Sequence, residues 1–177
     1  KEMERVFDVC LILHADHTFN ASTFAAREVA STRAHMYSAV SAAVGALSGE
    51  LHGGANYEVM KMLLDIKNEN NAKEWVKSKI ENGDRIMGMG HAVYKTVDPR
   101  SMVLKELSKK LSEKTGLPWF EITKKVEETT AEIMKNRKER DIFPNVDLYS
   151  ASVYYMLNIP MDLNTPIFAI SRVSGWT

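Results

Sequence analysis

The chain has 177 residues with 23 basic and 23 acidic side chains, so its formal net charge is zero. A neutral chain has no global field that would draw it onto nucleic acid or an anionic membrane. Its single cysteine, Cys10, excludes an internal disulfide and favours a reducing compartment, which we take to be the cytoplasm. No apolar run approaches membrane-spanning length, and no signal peptide opens the chain.

Apolar residues recur at intervals of three and four along most of the chain, which predicts helices. The expected helices cover 1–13, 20–47, 58–66, 72–80, 98–116, 118–143, 147–157 and 165–175. The second is rich in alanine, which allows close packing inside a bundle. Residues 84–97 show no helical period and are expected to form a loop, with at most a small strand pair. The predicted fold class is therefore all-α, a helical bundle.

Several of these helices have end signals. Asn20 is a candidate N-cap, and Asn70-Asn71 is expected to break the chain and cap the next helix. Asp98 followed by Pro99 predicts a helix start, because proline suits the first helical position. Gly116 is expected to end that helix.

Five polar residues suit acid/base and electrostatic chemistry: His52, His91, Asp147, Arg100 and Arg172. A carboxylate can take a proton from carbon if a donor stabilises the enolate oxygen that forms. Arginine's planar fork suits carboxylates. Together they favour chemistry on a carboxylated carbonyl substrate, although singly Asp147 suits an N-cap, Arg100 a surface residue and Arg172 a snorkelling side chain.

A metal site is the main alternative from another class. His14 and His17 stand at i, i+3 with Asp16 between them, a spacing that could hold a metal on a helix. There is, however, no His-Glu-x-x-His and no cysteine pair. Gly88-x-Gly90 also lacks the third glycine of a dinucleotide fingerprint. We expect no metal and no resident cofactor, and keep a helical metal-binding or interaction module as the alternative.

Five motifs, in this order, resemble the citrate synthase family, in its bacterial or archaeal form or as the similar 2-methylcitrate synthases. The motifs are His14-Ala15-Asp16-His17 with Asn20, Leu51-His52-Gly53-Gly54-Ala55-Asn56, Gly88-Met89-Gly90-His91-Ala92-Val93-Tyr94-Lys95 with Asp98-Pro99-Arg100, Phe143-Pro144-Asn145-Val146-Asp147, and Ser171-Arg172 before Gly175-Trp176. The resemblance runs along nearly the whole chain.

The resemblance implies roles for individual residues. The catalytic set would be His52, which hydrogen-bonds the thioester oxygen, His91, which polarises the oxaloacetate carbonyl, and Asp147, the base. The residues that hold oxaloacetate would be His17, Arg100 and Arg172, and Lys95 would lie near CoA. His14 would be structural.

The resemblance also implies an organisation and a set of partners. Residues 1–54 and 159–177 would be parts of a large domain, and 55–158 the small domain. The substrates would be oxaloacetate and acetyl-CoA, or propionyl-CoA in a 2-methylcitrate synthase, and the enzyme would be a homodimer that binds neither nucleic acid nor membrane. We expect the chain to be an inactive fragment that exposes an apolar face with Val6, Cys10 and Leu13.

Overall fold

The computed structural model describes residues 1–49, 52–91, 94, 96–138 and 141–177. Within them the regular structure is helical, apart from one isolated antiparallel bridge between Met89 and Pro144. The α-helices are α1 Glu2–His14, α2 Ala21–Ser31, α3 Met36–Leu47, α4 Ala55–Ile66, α5 Glu69–Glu81, α6 Pro99–Thr115, α7 Trp119–Lys138, α8 Val146–Met156 and α9 Asn164–Trp176, with a 3₁₀ helix at Met161–Leu163. The predicted all-α class is confirmed. In the described part of the chain no helix is both long and apolar enough to span a membrane.

The chain forms two compact units. Unit 1 contains residues 1–57 and 160–177, and unit 2 contains residues 58–159. The assignment of 1–54 and 159–177 to a large domain, and of 55–158 to a small domain, stays a prediction.

In unit 1, α2 packs against α3, and α9 packs against α1, α2 and α3. The expectation that Val6 and Cys10 are exposed is wrong, because both are buried, and Leu13 is half-buried. Burial also raises the pKa of the Cys10 thiol to about 12, as expected for a core cysteine. The large apolar side chains that α1 does expose are Met3, at 40%, and Ile12, at 64%.

The helix predicted over 20–47 is two helices. Arg33 lies between α2 and α3 with φ 61°, in the left-handed region, and this interrupts the helical hydrogen bonds. His35 then caps α3 by accepting a hydrogen bond from the amide of Tyr37 at 3.4 Å. The interrupting segment holds no glycine or proline, so the sequence offered no signal for it.

In unit 2, α8 is the central helix. Nine of its eleven residues are buried, which is expected of a helix covered on all sides. α6 and α7 pack on α8, and α5 packs on α7. The hydroxyls of Ser108 and Ser152 lie 2.9 Å apart where α6 meets α8, so small side chains let these helices approach closely.

Local capping signals were mostly correct. Asn20 caps α2, Asp98 caps α6, and Gly116 ends α6 in the left-handed conformation. The assignment of the cap at Asn70-Asn71 is wrong. Asn68 caps α5 instead, by accepting a hydrogen bond from the amide of Asn71 at 3.3 Å.

Candidate active site

His52 lies in unit 1 in the turn that precedes α4. The amide of Gly53 closes this turn by donating to the carbonyl of Leu47 at 2.8 Å. A Cβ on Gly53 would lie 2.5 Å from the same carbonyl oxygen, so only glycine fits here. The glycine after the histidine is therefore what lets the chain turn back on α3 and present the His52 ring.

The His52 ring faces the N-terminus of α2. Its Nε2 lies 3.3 Å from the amide nitrogen and 2.8 Å from the hydroxyl oxygen of Ser22, the second residue of α2. Amides of a first helical turn have no partner within the helix and are available as donors. Because an amide can only donate, Nε2 is the acceptor, and the hydrogen of the neutral ring is on Nδ1.

Electrostatics also favour a neutral His52. Burial lowers the pKa of His52, and the positive charge of Arg172 lowers it further. His52 at neutral pH is therefore an uncharged ring whose Nδ1–H is a hydrogen-bond donor.

The Ser22 hydroxyl has two further partners. The indole Nε1 of Trp176 donates to it at 3.2 Å, and the Asn20 side-chain oxygen lies 2.8 Å from it. Sequence reasoning missed the roles of Ser22 and Trp176 at His52. Trp176 is 154 residues from Ser22, and no local pattern links the two.

Arg172 lies in the interior of unit 1. Its side chain donates from Nε to the carbonyl of His14 at 2.6 Å, and its guanidinium carbon lies 4.7 Å from the Phe168 ring centroid. The snorkelling interpretation is wrong, because Arg172 is only 1% exposed. A buried cation favours an anionic ligand, which suits a carboxylate-binding role.

His17 follows α1 in the same unit and is half-buried. Asn20 fixes the backbone there by donating to the His17 carbonyl at 3.0 Å. His14 is buried, and its Nδ1 bonds to the Cys10 carbonyl at 2.8 Å. No group of three or more histidine, cysteine, aspartate or glutamate side chains among the described residues is placed to hold a metal ion, so the metal-binding alternative gains no support.

In unit 2, hydrogen bonds from Asn145 to backbone carbonyls join the two stretches that carry His91 and Asp147. The amide of Asn145 donates to the carbonyl of Gly88 at 2.9 Å, and its side chain donates to the carbonyl of Gly90 at 2.9 Å. The loop that contains Gly88 and Gly90 is thereby held against the start of α8, although Gly90 and Asn145 are 55 residues apart in the sequence.

Asp147 is the second residue of α8 and is half-buried. The N-cap interpretation of Asp147 is wrong, because Asn145 caps α8 by accepting from the Asp147 amide at 2.9 Å. Gly88 has φ +79°, and a Cβ there would lie 2.9 Å from the Cα of Leu148. Glycine is thus required where this loop packs on the first turn of α8.

Arg100 and Asp98 form a buried ion pair beside His91. The Arg100 Nε donates to Asp98 Oδ1 at 3.0 Å and an Nη donates to Oδ2 at 2.7 Å. The surface interpretation of Arg100 is wrong, because only 10% of its side chain is exposed. Burial alone would raise the pKa of Asp98, but the hydrogen bonds and charge of Arg100 outweigh it and hold that pKa below its usual value. These bonds use two of the five guanidinium N–H groups, which leaves three that Asp98 does not engage.

The amide of Tyr94 donates to Nδ1 of His91 at 3.1 Å, so in the neutral ring the hydrogen is on Nε2. Burial lowers the pKa of His91; Asp98 raises it, Arg100 lowers it, and the net direction is downward. Lys95, expected near CoA, lies outside the described residues.

Known proteins resemble this chain over nearly its whole length. The family model for the citrate synthase C-terminal domain matches residues 1–177. Citrate synthase of Haloferax volcanii is 48% identical over 176 residues, which are 98% of this chain and 45% of that protein. 2-Methylcitrate synthase 1 of Corynebacterium glutamicum is 45% identical over 174 residues, 98% of this chain and 44% of that protein.

A solved structure matches over nearly the whole chain. It is the ternary complex of carboxymethyl coenzyme A and oxaloacetate with citrate synthase from Thermoplasma acidophilum. The TM-score is 0.92 at 38% identity, covering 99% of this chain and 47% of that one. The chain thus spans about half the length of the relatives it matches.

Proposed function

Because this chain belongs to the citrate synthase family, we propose that it carries catalytic residues of an acyltransferase that condenses acetyl-CoA with oxaloacetate. The products are citrate and CoA. The observation that carries the proposal is the state of His52, a neutral ring whose Nδ1–H is a donor because the Ser22 amide occupies Nε2.

In the first step Asp147 removes a proton from the methyl group of acetyl-CoA. A thioester α-proton is far less acidic than a carboxyl group, so the negative charge that develops on the thioester oxygen must be stabilised. The Nδ1–H of His52 donates to that oxygen. Loss of one preorganised donor of this kind costs about 10² to 10³ in rate.

The second substrate, oxaloacetate, brings a ketone and two carboxylates. The Nε2–H of His91 donates to the ketone oxygen and polarises the carbonyl. His17, Arg100 and Arg172 bind the remaining oxygens, as planar guanidinium groups suit carboxylates. The methyl carbon of the enolised thioester attacks the ketone carbon to form the C–C bond, the ketone oxygen takes a proton, and water then cleaves the thioester to release CoA.

Finer assignments belong to the same proposal. Propionyl-CoA is the alternative acyl donor, since the chain also resembles 2-methylcitrate synthase 1 of C. glutamicum. Lys95 is proposed near CoA from the resemblance alone. The homodimer, the cytoplasmic location and the lack of a resident cofactor stay predictions.

The test is an assay of the full-length gene product with oxaloacetate and either acyl-CoA. We expect free thiol release with citrate formation from acetyl-CoA, and slower turnover of propionyl-CoA. Faster turnover of propionyl-CoA would establish the 2-methylcitrate alternative. No thiol release from either donor would refute the proposal.

A further inference from the structure

One carboxylate in unit 2 links three helices. Glu127 on α7 accepts a hydrogen bond from the hydroxyl of Tyr149 on α8. The same carboxylate oxygen lies 2.8 Å from the ammonium group of Lys105 on α6. The Lys105 ammonium also lies 5.6 Å from the centroid of the Tyr149 ring, so the three side chains form one cluster.

Two members of this cluster are shielded from solvent, whereas the Lys105 side chain is 36% exposed. Tyr149 is 0% exposed, and the Glu127 side chain is 18% exposed. Burial raises the pKa of Tyr149, and the neighbouring Glu127 carboxylate raises it further, so the phenol keeps its proton and remains a donor. A buried hydroxyl is costly unless it is hydrogen-bonded, and Glu127 is the acceptor that holds the Tyr149 ring in place.

The bond adds a polar restraint on the rotation of α8 about its axis, beside the packing of α8 on α6 and α7. Tyr149 follows Asp147 by two residues, and two residues turn an α-helix by about 200°. The two side chains therefore leave α8 on nearly opposite sides. With Tyr149 held towards α7, Asp147 points away from α7. The Asn145 cap and the tight contact of Gly88 with Leu148 fix where α8 begins, whereas Glu127 restricts how it turns.

We propose that Glu127 is a positioning residue for Asp147, acting through Tyr149 and the orientation of α8. The proposal rests on the proposed function of Asp147 as the base. Asp147 must reach the methyl proton at hydrogen-bond distance, and a misplacement of about 1 Å costs on the order of 10²-fold in rate.

The test compares variants of the full-length gene product by deuterium exchange into the methyl group of a non-hydrolysable ketone analogue of acetyl-CoA. Glu127→Ala and Tyr149→Phe should each slow exchange by about 10 to 10² fold while oxaloacetate affinity is unchanged. The double variant should be no slower than the slower single variant, because both changes break the same bond. Glu127→Gln keeps an oxygen acceptor for Tyr149 and should restore exchange.

Glu81→Ala is the matched control. It removes an interhelical ion pair, Arg137–Glu81 at 2.7 Å between α7 and α5, without touching α8, and it should leave exchange per folded molecule unchanged. Wild-type exchange rates in Glu127→Ala and Tyr149→Phe would overturn the proposal, and so would a failure of Glu127→Gln to restore exchange. An absence of exchange in the unmodified enzyme would instead refute the proposed function.

Discussion

The two histidines proposed to act in catalysis are held in opposite tautomers. In unit 1 an amide at the N-terminus of α2, from Ser22, donates to Nε2 of His52, which leaves hydrogen on Nδ1. In unit 2 a loop amide, from Tyr94, donates to Nδ1 of His91, which leaves hydrogen on Nε2. In both units a backbone amide occupies one ring nitrogen of the histidine, and this determines which of the two ring nitrogens carries hydrogen. The presence of a histidine in the sequence does not by itself show which nitrogen that is.

The charged neighbours also differ. His52 has the cation Arg172 as the neighbour that shifts its pKa. His91 has an anion and a cation, Asp98 and Arg100, with opposing effects on its pKa. Burial is the largest cause of the lowered pKa at both histidines. Arg172 adds to its effect at His52, whereas Asp98 opposes it at His91 and Arg100 adds to it.

The largest expected effect comes from removing the charge of Asp98. Asp98→Asn keeps an oxygen that can cap α6 but leaves Arg100 buried without its partner charge, so the free energy of unfolding should fall by about 3 to 5 kcal/mol. The His91 pKa should fall further, because Asp98 raises it, while the His52 pKa stays unchanged. Urea denaturation and NMR titration measure these effects.

Asp84→Asn is the matched control for this substitution. It removes the charge of an exposed pair, Lys79–Asp84 at 3.1 Å, and should cost less than about 1 kcal/mol. Equal losses in the two variants would contradict the claim that the Asp98 pair is a buried one.

In unit 1 the position most sensitive to substitution is Gly175, whose backbone lies close to the carbonyl of Ala15. A Cβ on Gly175 would lie 2.4 Å from the carbonyl oxygen of Ala15, so Gly175→Ala should displace α9 and cost about 1 to 3 kcal/mol. Gly45→Ala has no atom within 4 Å of the new Cβ and lies within α3, so it should stabilise by about 0.4 to 1 kcal/mol. Urea denaturation should show a lower free energy of unfolding for Gly175→Ala and a higher one for Gly45→Ala. An unchanged free energy of unfolding in Gly175→Ala would contradict the close contact of Gly175 with the Ala15 carbonyl.

Features of the fold could be predicted from the sequence where they depend on residues that are neighbours in the chain. The α6 cap at Asp98 and the stop at Gly116 each depend on one or two neighbouring residues, and both were predicted. The catalytic roles of His52, His91 and Asp147 stay predictions. The break at Arg33 has no glycine or proline signal, and it lies between two helices, α2 and α3, that pack on each other.

Interior contacts between distant segments were not predictable. The indole of Trp176 meets Ser22 only because α9 packs on α2, and Arg172 is buried for the same kind of reason. A sequence pattern shows that an arginine or a tryptophan is present. It does not show which carbonyl or hydroxyl the fold places against it.

Acidification should destabilise the chain through both histidines. The folded pKa of each is below 6.5, so below about pH 6.5 the unfolded chain binds protons that the folded chain does not. The free energy of unfolding should therefore fall as the pH drops from 7 towards the folded pKa values, by at most about 1.4 kcal/mol per pH unit per histidine. Urea denaturation between pH 7 and 5.5 should show that the free energy of unfolding depends less steeply on pH in His52→Asn than in the unmodified chain. An unchanged slope would contradict the neutral His52.

The smallest expected effect comes from removing the hydrogen bond between Trp176 and Ser22, which lies beside His52 and not beside His91. Trp176→Phe removes the N–H that donates to Ser22 and should cost about 1 kcal/mol, with a change in the ring ¹⁵N shifts of His52 but not of His91. Trp119→Phe is the control, because the Trp119 indole N–H is buried with no hydrogen-bond partner among the described residues. Identical His52 shifts in both variants would show that Trp176 does not influence the tautomer.

The assignment of Asp147 as the base and His52 as the donor is tested most directly by Asp147→Asn in the full-length gene product. Asparagine keeps the shape of the side chain but cannot accept the methyl proton. We predict that solvent deuterium exchange into the methyl group of a ketone analogue of acetyl-CoA is abolished, while oxaloacetate binding stays close to that of the unmodified enzyme. Exchange at the unmodified rate in Asp147→Asn would contradict the account.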